Sequence, residues 1–162
     1  MLLKQIKCTP KPSFSRPLIA PKVLRIAVAT QGTKILLKNA VCTPLSGSVL
    51  DLGCGYGHNC IDFVLRGARK VTGIDISEKM LEQAALKHKE ECIHFYAGAF
   101  EDFKEKDFDC AFVYRAYPHF PDKKAFALKL HSILKDGGRF IIAHSESRKA
   151  INDRHAGGAA HV

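Results

Sequence analysis

The sequence predicts an α/β fold, a doubly wound and mostly parallel sheet of five strands, and three observations carry that prediction. Short β-rich runs alternate with helical segments from residue 48 onward. The first of those runs ends in glycines at alternate positions and leads directly into a helix. The chain has 162 residues and is 46% hydrophobic, enough for one globular domain with an ordinary core. Strands separated by helices imply right-handed crossovers and a parallel sheet covered on both faces.

Taken in order, residues 1–21 read as irregular, because Pro10, Pro12, Pro17 and Pro21 punctuate them. The stretch from Pro21 to Val41 reads either as one helix or as a strand and a helix, divided at Gly32. Thr43-Pro44-Leu45-Ser46-Gly47 is a turn. The predicted strands are Ser48–Leu52, Lys70–Asp75, Ile93–Ala97, Cys110–Tyr114 and Arg139–His144, with helices over His58–Arg66, Glu78–Glu90 and Asp122–Leu134. Glu78, Leu81, Ala85 and His88 recur at helical spacing behind Ser77, a good N-cap. Asp122 caps the last helix, whose Phe126, Leu130, Ile133 and Leu134 make an apolar face. Lys135-Asp136-Gly137-Gly138 then ends that helix and turns the chain into the fifth strand. The division that follows is a basic arm and helix over 1–47 and the main unit over 48–162, within a single domain overall.

The net charge of +9 is concentrated at the start of the chain. Residues 1–50 carry eight Lys or Arg and no acid, leaving 17 basic and 16 acidic residues in 51–162. Such an arm can contact nucleic-acid phosphates or an acidic surface, can act as an organelle-targeting peptide, or can be a solvated extension lying on the fold. The prolines weaken the targeting reading, since they stop a long amphipathic helix. No apolar run approaches the roughly 18 residues needed to cross a bilayer, and Arg25 interrupts the apolar stretch from Val23 to Ala29. No membrane span and no secretory leader are expected, and the location expected is cytoplasmic. The six cysteines, Cys8, Cys42, Cys54, Cys60, Cys92 and Cys110, form no C-x-x-C pair, so reduced thiols are the expectation. Cys54, His58 and Cys60 lie close together without the second cluster that a structural zinc site needs, and no metal is expected.

The most informative stretch is Val49-Leu50-Asp51-Leu52-Gly53-Cys54-Gly55-Tyr56-Gly57-His58. Glycines suit a backbone that turns tightly and that a ligand approaches closely. The second strand ends in Gly73-Ile74-Asp75, which places Asp75 at the carboxyl edge beside the loop, where an acid accepts ribose hydroxyls. The spacing is G-x-G-x-G rather than the G-x-G-x-x-G of dinucleotide sites. Asp51 would also repel a pyrophosphate but suits a ligand carrying an ammonium group. An adenosine with an amino-acid tail satisfies both acids.

Val49–Gly57 with Gly73–Met80 and the helix after it resembles the S-adenosylmethionine-binding half of class I methyltransferases, and the form VLDLGCGYG…VTGIDISEKMLEQA is close to the small-molecule-type members. The second half resembles an uncharacterised bacterial branch of that family, and the likeness covers about residues 48–158. The resemblance implies a Rossmann-like sheet, S-adenosylmethionine as cofactor and S-adenosylhomocysteine as product. It implies that Gly53, Gly55, Tyr56 and Gly57 turn under the methionine portion, with Asp51 near its ammonium group. Asp75 would hold the ribose, Ile76 would pack on the adenine, and Met80 would line that region. Where the family usually has an acid for the adenine amino group, this chain has Ala99, leaving the backbone of Phe100, or Glu101 or Asp102, for that contact. The strand ending at Tyr114 leads to Arg115-Ala116-Tyr117-Pro118-His119-Phe120, which by resemblance faces the methyl acceptor. Tyr117 and His119 are the candidates for orienting the acceptor and taking its proton, and the alternative is that Tyr117 packs and His119 caps the turn. His144 is a weaker candidate of the same kind.

The expected function is methyl transfer to a small-molecule acceptor. The alternatives are a nucleic-acid methyltransferase anchored by the basic arm, and a cofactor-binding protein without turnover. The family's full sheet has seven strands, and this chain accounts for five, the last two being missing. Arg139–His144 would then sit at an edge, to be covered by the N-terminal arm, by a second copy in a homodimer, or left so by truncation.

Overall fold

The computed structural model describes residues 23–28 and 47–145, together with Lys149 and Asp153. The described elements are β1 (Val23–Val28), β2 (Ser48–Leu52), α1 (His58–Leu65), β3 (Lys70–Asp75), α2 (Glu78–Lys87), β4 (Ile93–Ala97), β5 (Phe108–Tyr114), α3 (Lys123–Ile133) and β6 (Leu134–His144). Short 3-10 turns cover Phe100–Asp102 and Tyr117–His119. All strand pairs are parallel, in the order β1-β6-β5-β2-β3-β4.

The central strands are buried along nearly their whole length, which is why they read as apolar runs and not as alternating ones. Adjacent residues of each strand face opposite layers. Val49, Val71 and Phe112 join Phe63 and Val64 of α1 and Leu81 of α2 in one core cluster. Leu50, Ile74 and Val113 join Phe126, Leu130 and Ile133 of α3 in the other. The two helical layers promised by the alternation are therefore present. Asp122 caps α3, its Oδ1 accepting from the amides of Lys124 and Ala125 at 2.9 and 2.8 Å. Ser77 Oγ accepts from the Met80 amide at 3.4 Å at the start of α2.

Four expectations need correction. The sheet has six described strands and not five, because Val23–Val28, placed by sequence in the basic arm, pairs with β6 from Val23 opposite Arg139 to Val28 opposite His144. That strand covers the edge of Arg139–His144, which bears out the first of the three alternatives given for it, so β6 is interior and the argument for a homodimer through that edge lapses. Secondly, α2 buries Leu81 and Ala84 while Ala85 is exposed, and it stops at Lys87, with His88 extended. Thirdly, β6 begins at Leu134. Phe108 pairs with Leu134 but Cys110 pairs with Arg139, so residues 135–138 bulge out within the strand, with Gly137 at φ 71°. Finally, Cys54, Cys60 and Cys110 are free buried thiols, but Cys92 is disulfide-bonded. The helical reading of residues 33–40 also lies outside the described residues.

Candidate active site

From β2 the chain winds through α1 and α2 to β3 and β4 on one side, and from β5 it winds through α3 to β6 on the other. The carboxyl ends of β2 and β5 thus flank the topological switch point, where open α/β sheets bind ligands. Both motifs singled out in the sequence leave the sheet there.

The glycine turn after β2 needs its glycines for two different reasons. Gly53, Gly55 and Gly57 all have left-handed backbones, with φ of 72°, 53° and 72°. A Cβ on Gly53 would come within 2.4 Å of the Ala116 Cβ, and one on Gly57 within 2.9 Å of the Phe95 ring. Those two glycines admit neighbouring protein. A Cβ on Gly55 would meet only Met80 Sδ, in ordinary contact at 3.8 Å, so there is room above Gly55.

The turn is tied to β3 by its own amides. Gly53 and Cys54 N–H both donate to the Ile74 carbonyl, at 2.8 and 3.0 Å. Gly55 N–H donates to Asp75 Oδ2 at 2.8 Å, and Ser77 N–H donates to Asp75 Oδ1 at 2.9 Å. Asp75 therefore clamps the loop before it meets any ligand, and each of its oxygens keeps acceptor capacity. Next to it Ile76 is 83% exposed, and Tyr56 on the loop is 48% exposed. Two large hydrophobic side chains thus remain in water around Gly55, which an apolar ring system would cover.

Asp51 is fully buried on the α1 side of β2, where Oδ2 accepts from Cys60 Sγ at 3.5 Å and Oδ1 has no hydrogen-bond partner. Burial is the main cause that pushes its carboxyl up to about 7; the Cys60 and Asn59 side chains pull it down and the charge of Asp75 pushes it up again. Cys54 and Cys60 converge over Gly73, where a Cβ would lie 2.7 and 3.1 Å from their sulfurs. The bond with Cys54, burial and the nearby Asp51 raise the Cys60 thiol well above its ordinary value. Among the described residues no group of three or more His, Cys, Asp or Glu is placed to hold a metal ion.

The remaining residues singled out in the sequence divide. Ala99 is half-buried at the head of the 3-10 turn, and Gly98 N–H donates to the Asp75 carbonyl at 3.0 Å, which brings this turn to the end of β3. The Phe100 side chain is core, packed on Phe126 at 5.4 Å, so only its backbone is available to a ligand. Glu101 and Asp102 are exposed. Tyr114 is half-buried and stacks on Phe112 at 6.4 Å. Arg115 after it holds φ 59°, a left-handed backbone rarely tolerated outside glycine. The Tyr117 ring lies edge-on to Phe126 at 5.6 Å, with Lys123 Nζ 4.8 Å above it, so it is engaged in packing. His119 is exposed on the same turn, and His144 is half-buried at the end of β6.

Three participants escaped sequence reasoning. His88 Nε2 donates to the Tyr56 carbonyl at 3.2 Å, bracing the glycine turn from the α2–β4 link, and burial lowers its pKa. Lys123 Nζ clasps the acceptor-side turn by donating to the carbonyls of Tyr117 at 2.8 Å, Pro118 at 3.0 Å and Phe120. Asn59 is buried beside Asp51. Each acts through a contact distant in sequence or through the backbone, and no local pattern signals it.

A glycine turn at the switch point of a parallel sheet, clamped by the acid that ends the next strand, defines a Rossmann-like ligand-binding domain. The chain belongs to the methyltransferase-domain family, whose model matches residues 49–138, more than half of its length. It is 31% identical over 108 residues to a 2-methyl-6-phytyl-1,4-hydroquinone methyltransferase from Synechocystis, covering 65% of this chain and 34% of that protein. It is 32% identical over 100 residues to a 27-O-demethylrifamycin SV methyltransferase from Amycolatopsis mediterranei, covering 58% and 37%. The crystal structure of an S-adenosylmethionine-dependent methyltransferase from Mesorhizobium loti matches with a TM-score of 0.58 at 29% identity, over 64% of this chain and 49% of that one. The chain thus spans about a third of the length of the curated relatives it matches.

Proposed function

We propose that this chain binds S-adenosylmethionine at the glycine turn and directs its methyl group to a small-molecule acceptor, with S-adenosylhomocysteine as the product. The observation that supports this best is the Asp75–Gly55 clamp. It sets an acid with spare acceptor capacity beside the one glycine of the turn that has room above it. The residues present fit that cofactor. In this reading Asp75 accepts ribose hydroxyls, Ile76 and Tyr56 cover an adenine and its linker, Met80 lines the space beside Gly55, and Asp51 favours a positively charged amino-acid end. Ala99 carries no acceptor for the adenine amino group, which leaves backbone groups of the Ala99–Phe100 turn for that contact. The bound cofactor supplies an activated methyl on a sulfonium. The chain then has to hold donor and acceptor in line and exclude water, for which no metal is needed.

On the acceptor side, Ala116 packed over Gly53 keeps the turn after β5 against the glycine turn. His119 is the group proposed to accept a proton there, because it is exposed on that turn. Tyr117 is assigned the shaping of the wall, through its contacts with Phe126 and Lys123. The curated relatives named above, which act on a hydroquinone and on a rifamycin, support a small-molecule acceptor.

The test is calorimetric titration of S-adenosylhomocysteine into the parent and Asp75→Ala. Each charge-assisted hydrogen bond contributes about 1.5–3 kcal/mol, so the substitution should weaken binding at least about tenfold. It should also lower stability, since the Gly55 and Ser77 amides lose their acceptor. Unchanged affinity would remove Asp75 from the ribose site.

A further inference from the structure

Asp51 is the group the fold treats most unusually. It is sealed between β2 and the first turn of α1 with no exposed surface, and one carboxylate oxygen is left without a partner. The groups that face it come from three directions. Cys60 and Asn59 belong to α1, Cys54 of the glycine turn backs Cys60, and Asp75 belongs to the end of β3. The residues opposite it in the sheet are Gly73 and Phe112. None of these is a cation, one is a second acid, and the only relief comes from neutral side chains, the weak thiol donor of Cys60 at 3.5 Å and Asn59. A carboxylate held this way is poorly solvated and uncompensated. The glycine turn, which is the proposed seat of the cofactor's amino-acid end, starts two residues further along the chain.

We propose that Asp51 is a specificity-determining residue that exchanges its proton for the cofactor's ammonium charge, so that a ligand with an amino-acid tail binds with release of a proton and the adenosine portion alone does not. The inference rests on the cofactor reading above. The positive charge acts across the loop backbone, in a region of low effective dielectric where attraction between unlike charges is strong. It stabilises the carboxylate, and the displaced proton passes to the buffer. A pyrophosphate at the same place would have the opposite effect, so the same residue discriminates against dinucleotides. The raised carboxyl of Asp51 sets the pH window in which the exchange is visible.

The experiment uses the full chain and two ligands that share adenosine and thioether: S-adenosylhomocysteine, with the amino-acid tail, and 5′-methylthioadenosine, without it. Each is titrated calorimetrically between pH 6 and 8 in two buffers of different ionisation enthalpy. With Asp51 near 7 in the free protein, affinity for S-adenosylhomocysteine should rise about tenfold from pH 6 to 8. Proton release should approach one at pH 6 and fade at pH 8. Affinity for 5′-methylthioadenosine should stay level. That comparison also separates Asp51 from His88, whose effect on the glycine turn reaches both ligands alike. Asp51→Asn should lose the slope for S-adenosylhomocysteine and keep the affinity for 5′-methylthioadenosine. If Asp51→Asn does not fold, the two ligands on the parent protein still decide. S-adenosylhomocysteine binding without pH dependence, or the same slope for both ligands, overturns the proton exchange and leaves the cofactor reading standing. Failure of both ligands to bind overturns the cofactor reading, and the exchange with it.

Discussion

The two sides of the switch point are built in opposite ways. On the β2–β3 side the backbone is held by polar contacts and the surface is left open. Three left-handed glycines, amides bonded to Ile74 and Asp75, and exposed Tyr56 and Ile76 surround Gly55. On the β5–β6 side the turn is filled by its own side chains. Phe126 of α3 touches Tyr117, Phe120 and Phe140 at 5.6, 4.3 and 5.8 Å, and Lys123 closes the turn over three carbonyls. One side is ordered by hydrogen bonds beneath an open surface, and the other by apolar packing. Damage should therefore separate: affinity on the first side, stability on the second.

The sharpest break is Gly55→Val. The side chain enters open space, so the fold should survive at a cost of about 1–2 kcal/mol for the left-handed backbone. Binding of S-adenosylhomocysteine, measured by calorimetry, should be lost beyond detection. Normal affinity would place the ligand elsewhere. Phe126→Ala should do the reverse. A buried phenylalanine reduced to alanine costs about 3–5 kcal/mol, to be read from urea denaturation, with cofactor affinity in the folded fraction changed little. A large loss of affinity without loss of stability would erase the distinction between the two sides. The smallest effect expected is from His88→Gln. Burial depresses the His88 pKa below its ordinary 6.5 in the folded chain. The unfolded chain then binds the proton more readily, so His88's contribution to stability is complete above about 6.5 and is lost as pH falls through the folded value. Asp51 acts in the opposite sense, since its raised carboxyl favours the folded chain as pH falls below about 7. The readout is therefore the difference between the two proteins at each pH. His88→Gln should gain stability relative to the parent in thermal melts as pH falls through that window.

The glycine spacing, the flanking strands and Asp75 were legible in sequence because each depends on neighbours within a few residues of the chain. A buried parallel strand is apolar on both faces, a left-handed turn demands glycine, and the end of a strand puts its last side chain at the sheet edge. The edge strand Val23–Val28 was legible only as one of two alternatives. Its partner β6 is more than 100 residues away, and nothing local distinguishes a strand that pairs there from the start of a helix. The face of α2 was read one residue off because both Ala84 and Ala85 suit a helix, and only packing against β4 and β3 buries the first.

From the sequence alone came the class of the fold, the glycine turn with its acid, the exclusion of a dinucleotide spacing and the family resemblance that the methyltransferase-domain match bears out. The tertiary structure alone decided which glycine faces open space, that Asp75 already holds the loop, that Tyr117 is engaged in packing, and that Asp51 lies sealed with an unsatisfied oxygen. The division has a physical cause. Backbone conformation and strand burial follow from short-range sterics and from residue type. Burial of a charge, room above a glycine and occupation of an aromatic ring depend on what distant segments bring to the same place.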